Sequence, residues 1–320
     1  MFDLLIRNAQ VLDGTGAPVY LADVAVKDGK IAAVGKLSGE AAETVDAAGL
    51  TLAPGFIDVH GHSDFFMPLD PARASKLLQG VTTELCGQCG LGPAPVTEQN
   101  YPVYHKYLSQ QGIPMYPDDR TFTSFSAYLS RMEQTPAGIN LAYFIPHGTV
   151  RLAVMGFSHD APDDRQLAQM RELVEDAMQA GALGLSTGLA YAPGRFAATD
   201  ELAALTEPVG RYGGVYTSHL RDQGDQLEQS VQEAIDIARR GGARVNVSHH
   251  KAVGEQNFGK VRKTTQMLQE AGIPATHDVY PYAASSTMLI STLPMAFAQL
   301  EPQALLQALA DPGELARLAS

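Results

Sequence analysis

A rhythm that begins after Pro54 restricts the fold of this chain more than any other feature. A short apolar run, a loop and a helix-length amphipathic segment follow one another repeatedly. The runs at 56–60, 82–85, 140–145, 183–186, 214–219, 244–249 and 274–279 read as strands. Residues 163–179, 200–212, 226–240 and 261–270 carry helical spacing, and Gly181, Gly213, Gly241-Gly242 and Gly272 mark helix ends. Strands and helices in alternation imply parallel strands joined by crossover helices. Seven such strands, with an eighth expected, predict an α/β chain built as a (β/α)8 TIM-like barrel rather than an open doubly wound sheet.

Residues 1–54 follow a different pattern, in which brief β-like runs are separated by Asp13-Gly14, Asp28-Gly29 and Gly49. They are expected to form a small β subdomain, with Val24 to Val34 as a hairpin across Asp28-Gly29. Residues 55–320 form the barrel. Its stretch 90–138, rich in Pro, Tyr, Gln and Asp, is long for a barrel loop and is expected to shape the mouth of the active site. After Val279 no further strand pattern follows. Asp311 before Pro312-Gly313 reads as a turn residue, and the last residues break off inside a helical pattern. The expectation is an N-terminal portion of a longer enzyme, its barrel incomplete at the C-terminal end and lacking the eighth strand.

Reactive side chains gather at the C-terminal ends of these strands, where barrel enzymes place their chemistry. His60 and His62 follow the first strand, Cys89 the second, His147 the third, Ser186 and Tyr191 the fourth, His219 the fifth, His249 the sixth, and Tyr280 and Tyr282 the seventh. Alternation along a strand would point His60 and His62 the same way, towards one metal ion. Cys86 and Cys89 are the only cysteines, so a four-cysteine zinc site is excluded. One thiolate can instead meet histidines from other strands, and Cys86 then packs as a small apolar group. His250 should face away from its neighbour His249. For His147 both a substrate contact and a structural hydrogen bond stand open, and His105, His159 and His277 lie outside the motif ends.

A net charge of −12 and a pI near 5.1 argue against a nucleic-acid partner. No apolar run approaches the roughly 20 residues of a membrane-spanning helix, so no membrane partner is expected. Two close cysteines without a disulfide framework fit a cytoplasmic protein. Oligomeric state is not written in the sequence.

The chain resembles the amidohydrolase superfamily, and within it the D-aminoacylase (N-acyl-D-amino-acid deacylase) family. Pro54-Gly55-Phe56-Ile57-Asp58-Val59-His60-Gly61-His62, Gly87-Gln88-Cys89-Gly90 and the run from Gly181 to Tyr191 carry the resemblance. So do His219-Leu220-Arg221-Asp222, Ser248-His249-His250-Lys251 and Asp278-Val279-Tyr280-Pro281-Tyr282, in family order over nearly the whole chain.

The resemblance implies that Cys89, His219 and His249 hold a tight zinc. It implies a second, weaker metal position at His60 and His62, which Cys89 bridges in place of the carbamylated lysine of other superfamily members. Tyr191, Lys251 and Tyr282 become substrate contacts, with Lys251 suited to an α-carboxylate, and Ser286 a further one for which Ser285 is the alternative. Arg221 and Asp222 either orient His219, close the site, or form an ordinary exposed ion pair. Zinc would lower the pKa of bound water to about 7, so that hydroxide attacks the amide of a small N-acyl-D-amino acid. The acid–base residue implied by the family is an aspartate on the eighth strand. It lies beyond Ser320, so no catalytic residue is assigned and this chain alone is expected to be poorly active. The alternatives are a hydantoinase- or dihydroorotase-type cyclic amidase, a D-dipeptidase, or a barrel that has kept its fold without its chemistry.

Overall fold

The computed structural model describes residues 1–66, 74–110, 113, 122–282, 284, 287, 293, 297 and 302–318. The chain divides into two compact units, Met1–Phe56 with Gly80–Thr82, and Ile57–Gln79 with Thr83–Ser320.

The first unit is built on β1 (Phe2–Val11), β2 (Tyr20–Lys27), β3 (Lys30–Gly35), β4 (Ala41–Asp46) and β5 (Thr51–Leu52). Its sheet runs β3-β2-β1-β4, with β5 paired to β1. Lys27 faces Lys30 across Asp28 and Gly29, whose φ angles of 51° and 70° suit the two-residue hairpin turn that follows the twist of the strands. Ala9, Val11, Ala22, Val24 and Ala47 form its small core.

In the second unit the barrel strands are β6 (Phe56–Asp58), β7 (Val81–Cys86), β8 (Asn140–Tyr143), β9 (Ile145–Pro146), β10 (Gly184–Gly188), β11 (Val215–His219), β12 (Arg244–Val247) and β13 (Ala275–His277). They lie in the orders β6-β7-β8 and β13-β12-β11-β10-β9, and β7·β8 and each pair from β9 to β13 are parallel. β8 and β9 are one strand position interrupted at Phe144. Its N–H donates to Cys86 O at 2.9 Å, after which Ile145 pairs with Leu185 of β10. Seven strand positions therefore follow one another in chain order, as the sequence predicts. No eighth strand occurs among the described residues.

Among the described residues eight helices are interleaved with these strands: α1 (Ala74–Leu77), α2 (Tyr101–Gln110), α3 (Phe125–Glu133), α4 (His147–Met155), α5 (Asp164–Gln179), α6 (Thr199–Arg211), α7 (Leu227–Gly241) and α8 (Lys260–Gln269). The Asp163 side chain accepts from Gln166 N at 2.7 Å while Gln166 accepts from Asp163 N, a reciprocal cap that starts α5 where the sequence places it. Met170 and Val174 of α5, Leu202 and Leu205 of α6, and Val231 and Ile235 of α7 share one core with Ile145, Leu185, Tyr216 and Val245. β10 is buried along its whole length, as a strand covered on both faces must be.

The stretch 90–138 is not an open loop. It holds α2 and α3, and Tyr104 and Leu108 of α2 are buried with Phe65, Leu91, Val96 and Leu152. Several strands also stop earlier than their apolar runs suggest: β6 ends at Asp58, β12 at Val247 and β13 at His277. Among the described residues no helix is long and apolar enough to cross a membrane.

Candidate metal centre

Because β6 ends at Asp58, His60 and His62 sit on the loop beyond it, and strand alternation does not aim them. The loop itself does. Gly61 N donates to Leu85 O at 3.0 Å, and Ser63 is held by the buried Glu84 through its hydroxyl (2.5 Å) and its N–H (3.3 Å). A Cβ on Gly61 would come within 1.7 Å of Glu84 Oε1, so only glycine lets the loop lie this close. The two imidazoles pack edge to face, with centroids 5.7 Å apart.

Cys89 follows β7 in a left-handed conformation, φ 57°, which is uncommon for a residue with a side chain. Three side chains hold its loop. The Ser186 hydroxyl accepts from Gly90 N at 3.1 Å and donates to Gly87 O, bracketing the cysteine. Asp64 accepts from Gly87 N at 3.0 Å. Gln88 donates to Val59 O at 3.0 Å and accepts from Thr217 at 3.5 Å, tying the loop to the His60 segment and to β11. On the remaining side, Gly188 abuts Cys89 O so closely that a Cβ would stand 2.1 Å away.

His219 is the last residue of β11, whereas His249 lies two residues past β12 with φ 36°. Cys89 Sγ is 3.3 Å from His60 Nε2 and 3.6 Å from His249 Nε2. Two groups result, His60–His62–Cys89 and Cys89–His219–His249. Within each, the possible ligand atoms all lie within 4.8 Å of one another, and Cys89 belongs to both. Burial opposes ionisation of Cys89, but hydrogen bonds from His219, His249 and His60 prevail and hold the thiol well below its ordinary value. Burial pulls His60 down, yet Asp278 and Cys89 outweigh it and push the imidazole up to about 10. His219 is lowered by burial.

Each of three imidazoles meets a different partner at Nδ1. Tyr191 OH lies 2.5 Å from that of His219, and Asp278 Oδ1 lies 3.1 Å from that of His60. His249 Nδ1 has the Gln223 amide at 3.1 Å and Lys251 Nζ at 3.2 Å. Were His249 to ligate a metal through Nε2, Nδ1–H would be a donor and the Gln223 amide would have to present its oxygen to accept it.

Among the expected substrate contacts, Tyr191 thus reaches His219, and Lys251 lies beside His249 with its ammonium 5.2 Å above the Tyr280 ring. Tyr282 is exposed and stacks on Tyr280 at 5.5 Å. Ser286, with Ser285, lies outside the described residues. Arg221 does not touch His219: it pairs with Glu233 and donates to Arg195 O and Ala197 O, while Asp222 accepts from Gly224 N and Gln226 N. His250 turns away to Thr264 (2.8 Å), and the buried His147 lies 3.0 Å from Glu201. Burial pushes the Cys86 thiol well up, as befits a packed apolar group.

Asp278 and Gln223 have no assigned role in the sequence reading. Asp278 did leave a signal, an acid near the end of the run 274–279 that reads as the seventh strand. Gln223, in a loop four residues after His219, left none.

Parallel barrel strands with a histidine–cysteine cluster beyond their carboxyl ends are an arrangement that could hold a metal ion where barrel enzymes place their chemistry. A model of the amidohydrolase family matches residues 43–296, and the chain belongs to that family. It is 39% identical over 291 residues to a D-aminoacylase of Alcaligenes xylosoxydans xylosoxydans, covering 90% of this chain and 59% of that protein. It is also 39% identical over 293 residues to an N-acyl-D-aspartate deacylase of the same organism, covering 90% of this chain and 57% of that one. In structure it is similar to a D-aminoacylase (TM-score 0.82, 37% identity, 90% of this chain and 60% of that one). It is equally similar to the N-acyl-D-glutamate deacylase of Bordetella bronchiseptica solved with zinc and a phosphonate inhibitor (TM-score 0.82, 36% identity, 91% and 62%). The chain therefore spans less than two thirds of the length of these relatives.

Proposed function

We propose that this chain carries the metal-binding part of a zinc-dependent deacylase, which hydrolyses N-acyl-D-amino acids to a carboxylate and a D-amino acid. The observation that carries the reading is the place of Cys89 in both ligand groups. One thiolate with imidazoles on either side is a donor set suited to zinc, and the depressed thiol supplies the deprotonated form that ligation requires. Cys89, His219 and His249 would hold the tight ion, and His60 and His62, sharing Cys89, a second. Bound zinc supplies an acidified water and a polarised carbonyl at neutral pH.

The chain's own groups do the rest. Tyr191 fixes the ring of His219. Lys251 offers a cation for the α-carboxylate, while Tyr280 and Tyr282 form an aromatic wall beside it. Burial lowers the Lys251 ammonium from its ordinary value, so a carboxylate partner would stabilise its charged form. Ser286 enters this reading on resemblance alone. No acid–base residue is assigned among the described residues. Both cysteines are unpaired, which fits a reducing cytoplasm.

The test is release of free D-methionine from N-acetyl-D-methionine, set against hydantoin and a D-dipeptide. The zinc-loaded chain is assayed alone and joined to the further length that its relatives carry. Release of D-methionine by the joined protein, with hydantoin untouched, is expected. Failure on every N-acyl-D-amino acid with zinc bound would overturn the proposal. In the active protein Lys251→Met should raise KM about 10- to 100-fold with a smaller change in kcat, the loss of one charge-assisted contact at roughly 1.5–3 kcal/mol. An unchanged KM would remove Lys251 from the carboxylate site.

A further inference from the structure

One carboxylate connects the two ligand groups. Asp278 Oδ1 lies 3.1 Å from Nδ1 of His60 and accepts the backbone N–H of His249 at 2.7 Å. Its other oxygen accepts from Asn246 Nδ2 at 2.8 Å, and that amide also reaches Thr217 Oγ1 at 3.2 Å. The backbone of Asp278 is pinned as well: its N–H donates to Val247 O, and its carbonyl accepts from His250 N at 2.8 Å. The carboxylate is therefore fixed by β12 and is not free to follow His60.

We propose that Asp278 is the positioning residue that couples the two metal positions, orienting the ring of His60 on one side and holding the backbone of His249 on the other. This rests on the two-position reading above. A ligating imidazole is aimed by the group that faces its second nitrogen, here the Asp278 carboxylate at ion-pair distance, and a carboxylate there also makes the ring a stronger donor to the metal. His60 stands on a loop past the end of its strand, so its ring needs such a partner. His249 adopts a left-handed backbone at φ 36°, and the bond from its N–H to Asp278 helps to hold it there. The two contacts differ in what they require. Any side-chain oxygen at this position can accept the His249 N–H, whereas only a carboxylate gives His60 a charged partner.

Asp278→Asn separates them. Zinc per chain, measured by elemental analysis after dialysis against graded free zinc, should show two equivalents in the unsubstituted protein. In the variant, the second equivalent should bind roughly 10- to 100-fold more weakly while the first is kept. With cobalt in place of zinc, the thiolate-to-metal charge-transfer absorption of Cys89 should persist in the variant. Two equivalents held with unchanged affinity would overturn the inference. Loss of both, with loss of the circular-dichroism spectrum, would also overturn it, because Asp278 would then support the fold rather than His60. If the unsubstituted protein takes up only one equivalent, the two-position reading fails, and this inference fails with it.

Discussion

Cys89→Ser should empty both of the metal positions proposed above at once. Substitution of His62 should weaken the second position alone, and substitution of His219 the first alone. Cys89 is common to both groups, so its loss removes one ligand from each. A serine hydroxyl is a hard, neutral donor that ionises far less readily than the thiol, which is held well below its ordinary value here. Outer partners of a metal site are already worth about 10- to 100-fold in affinity, so loss of a ligand should cost more than ~100-fold at each position. Elemental analysis after dialysis is the measurement, with circular dichroism to show that the barrel remains. Full zinc occupancy in the variant would sink the bridging role of Cys89.

Glu201→Ala should cause a large loss of stability although it lies away from the metal centre. Glu201 of α6 lies 3.0 Å from His147 Nε2 and 3.2 Å from Arg151 Nε of α4, and all three side chains are buried. Arg151 also donates to Ser158 O at 2.6 Å and Asp160 O at 2.7 Å, but Glu201 is the acid that answers its charge. Truncating it strands a guanidinium in the core, a change that costs about 3–5 kcal/mol. Native stabilities are typically about 5–15 kcal/mol, so the urea midpoint should fall steeply with an unchanged slope. A midpoint shift worth less than about 1 kcal/mol would refute the argument. Burial raises the Glu201 carboxyl, yet the His147 hydrogen bond and the charges of His147 and Arg151 bring it below its ordinary value. A depressed acid stabilises the fold above its unfolded pKa, and that contribution is lost as pH falls through the folded one. Wild-type stability should therefore drop on acidification more steeply than that of Glu201→Gln.

The fold was legible because apolar periodicity is local information. Residues 163–179 announce a helix by spacing, and the structure begins α5 there, with Asp163 and Gln166 forming the cap. The five ligand candidates were legible because His60, His219 and His249 close apolar runs, His62 and Cys89 follow such runs closely, and the family resemblance joins them into one set. Strand ends were not: residues 56–60 are apolar enough for a strand, but pairing stops at Asp58, so the histidines arrive on a loop. Residues 90–138 read as a loop because Pro and polar residues mask the spacing of α2 and α3, whose burial comes from partners distant in sequence. Long-range pairings leave no periodic trace either. Asp278 beside His60, Gln223 beside His249, and Glu201 between His147 and Arg151 join residues 26 to 218 positions apart, and only the folded chain brings them together.

The contact between Gly188 and Cys89 O limits how this protein can diverge. A side chain at 188 would strike the backbone of the cysteine loop, and the hydroxyl of Ser186, two residues earlier, brackets the same loop. A bulkier residue at 188 and loss of the hydroxyl at 186 would therefore disturb the same few backbone atoms, so residues 186–188 act as a template on which the Cys89 turn is moulded.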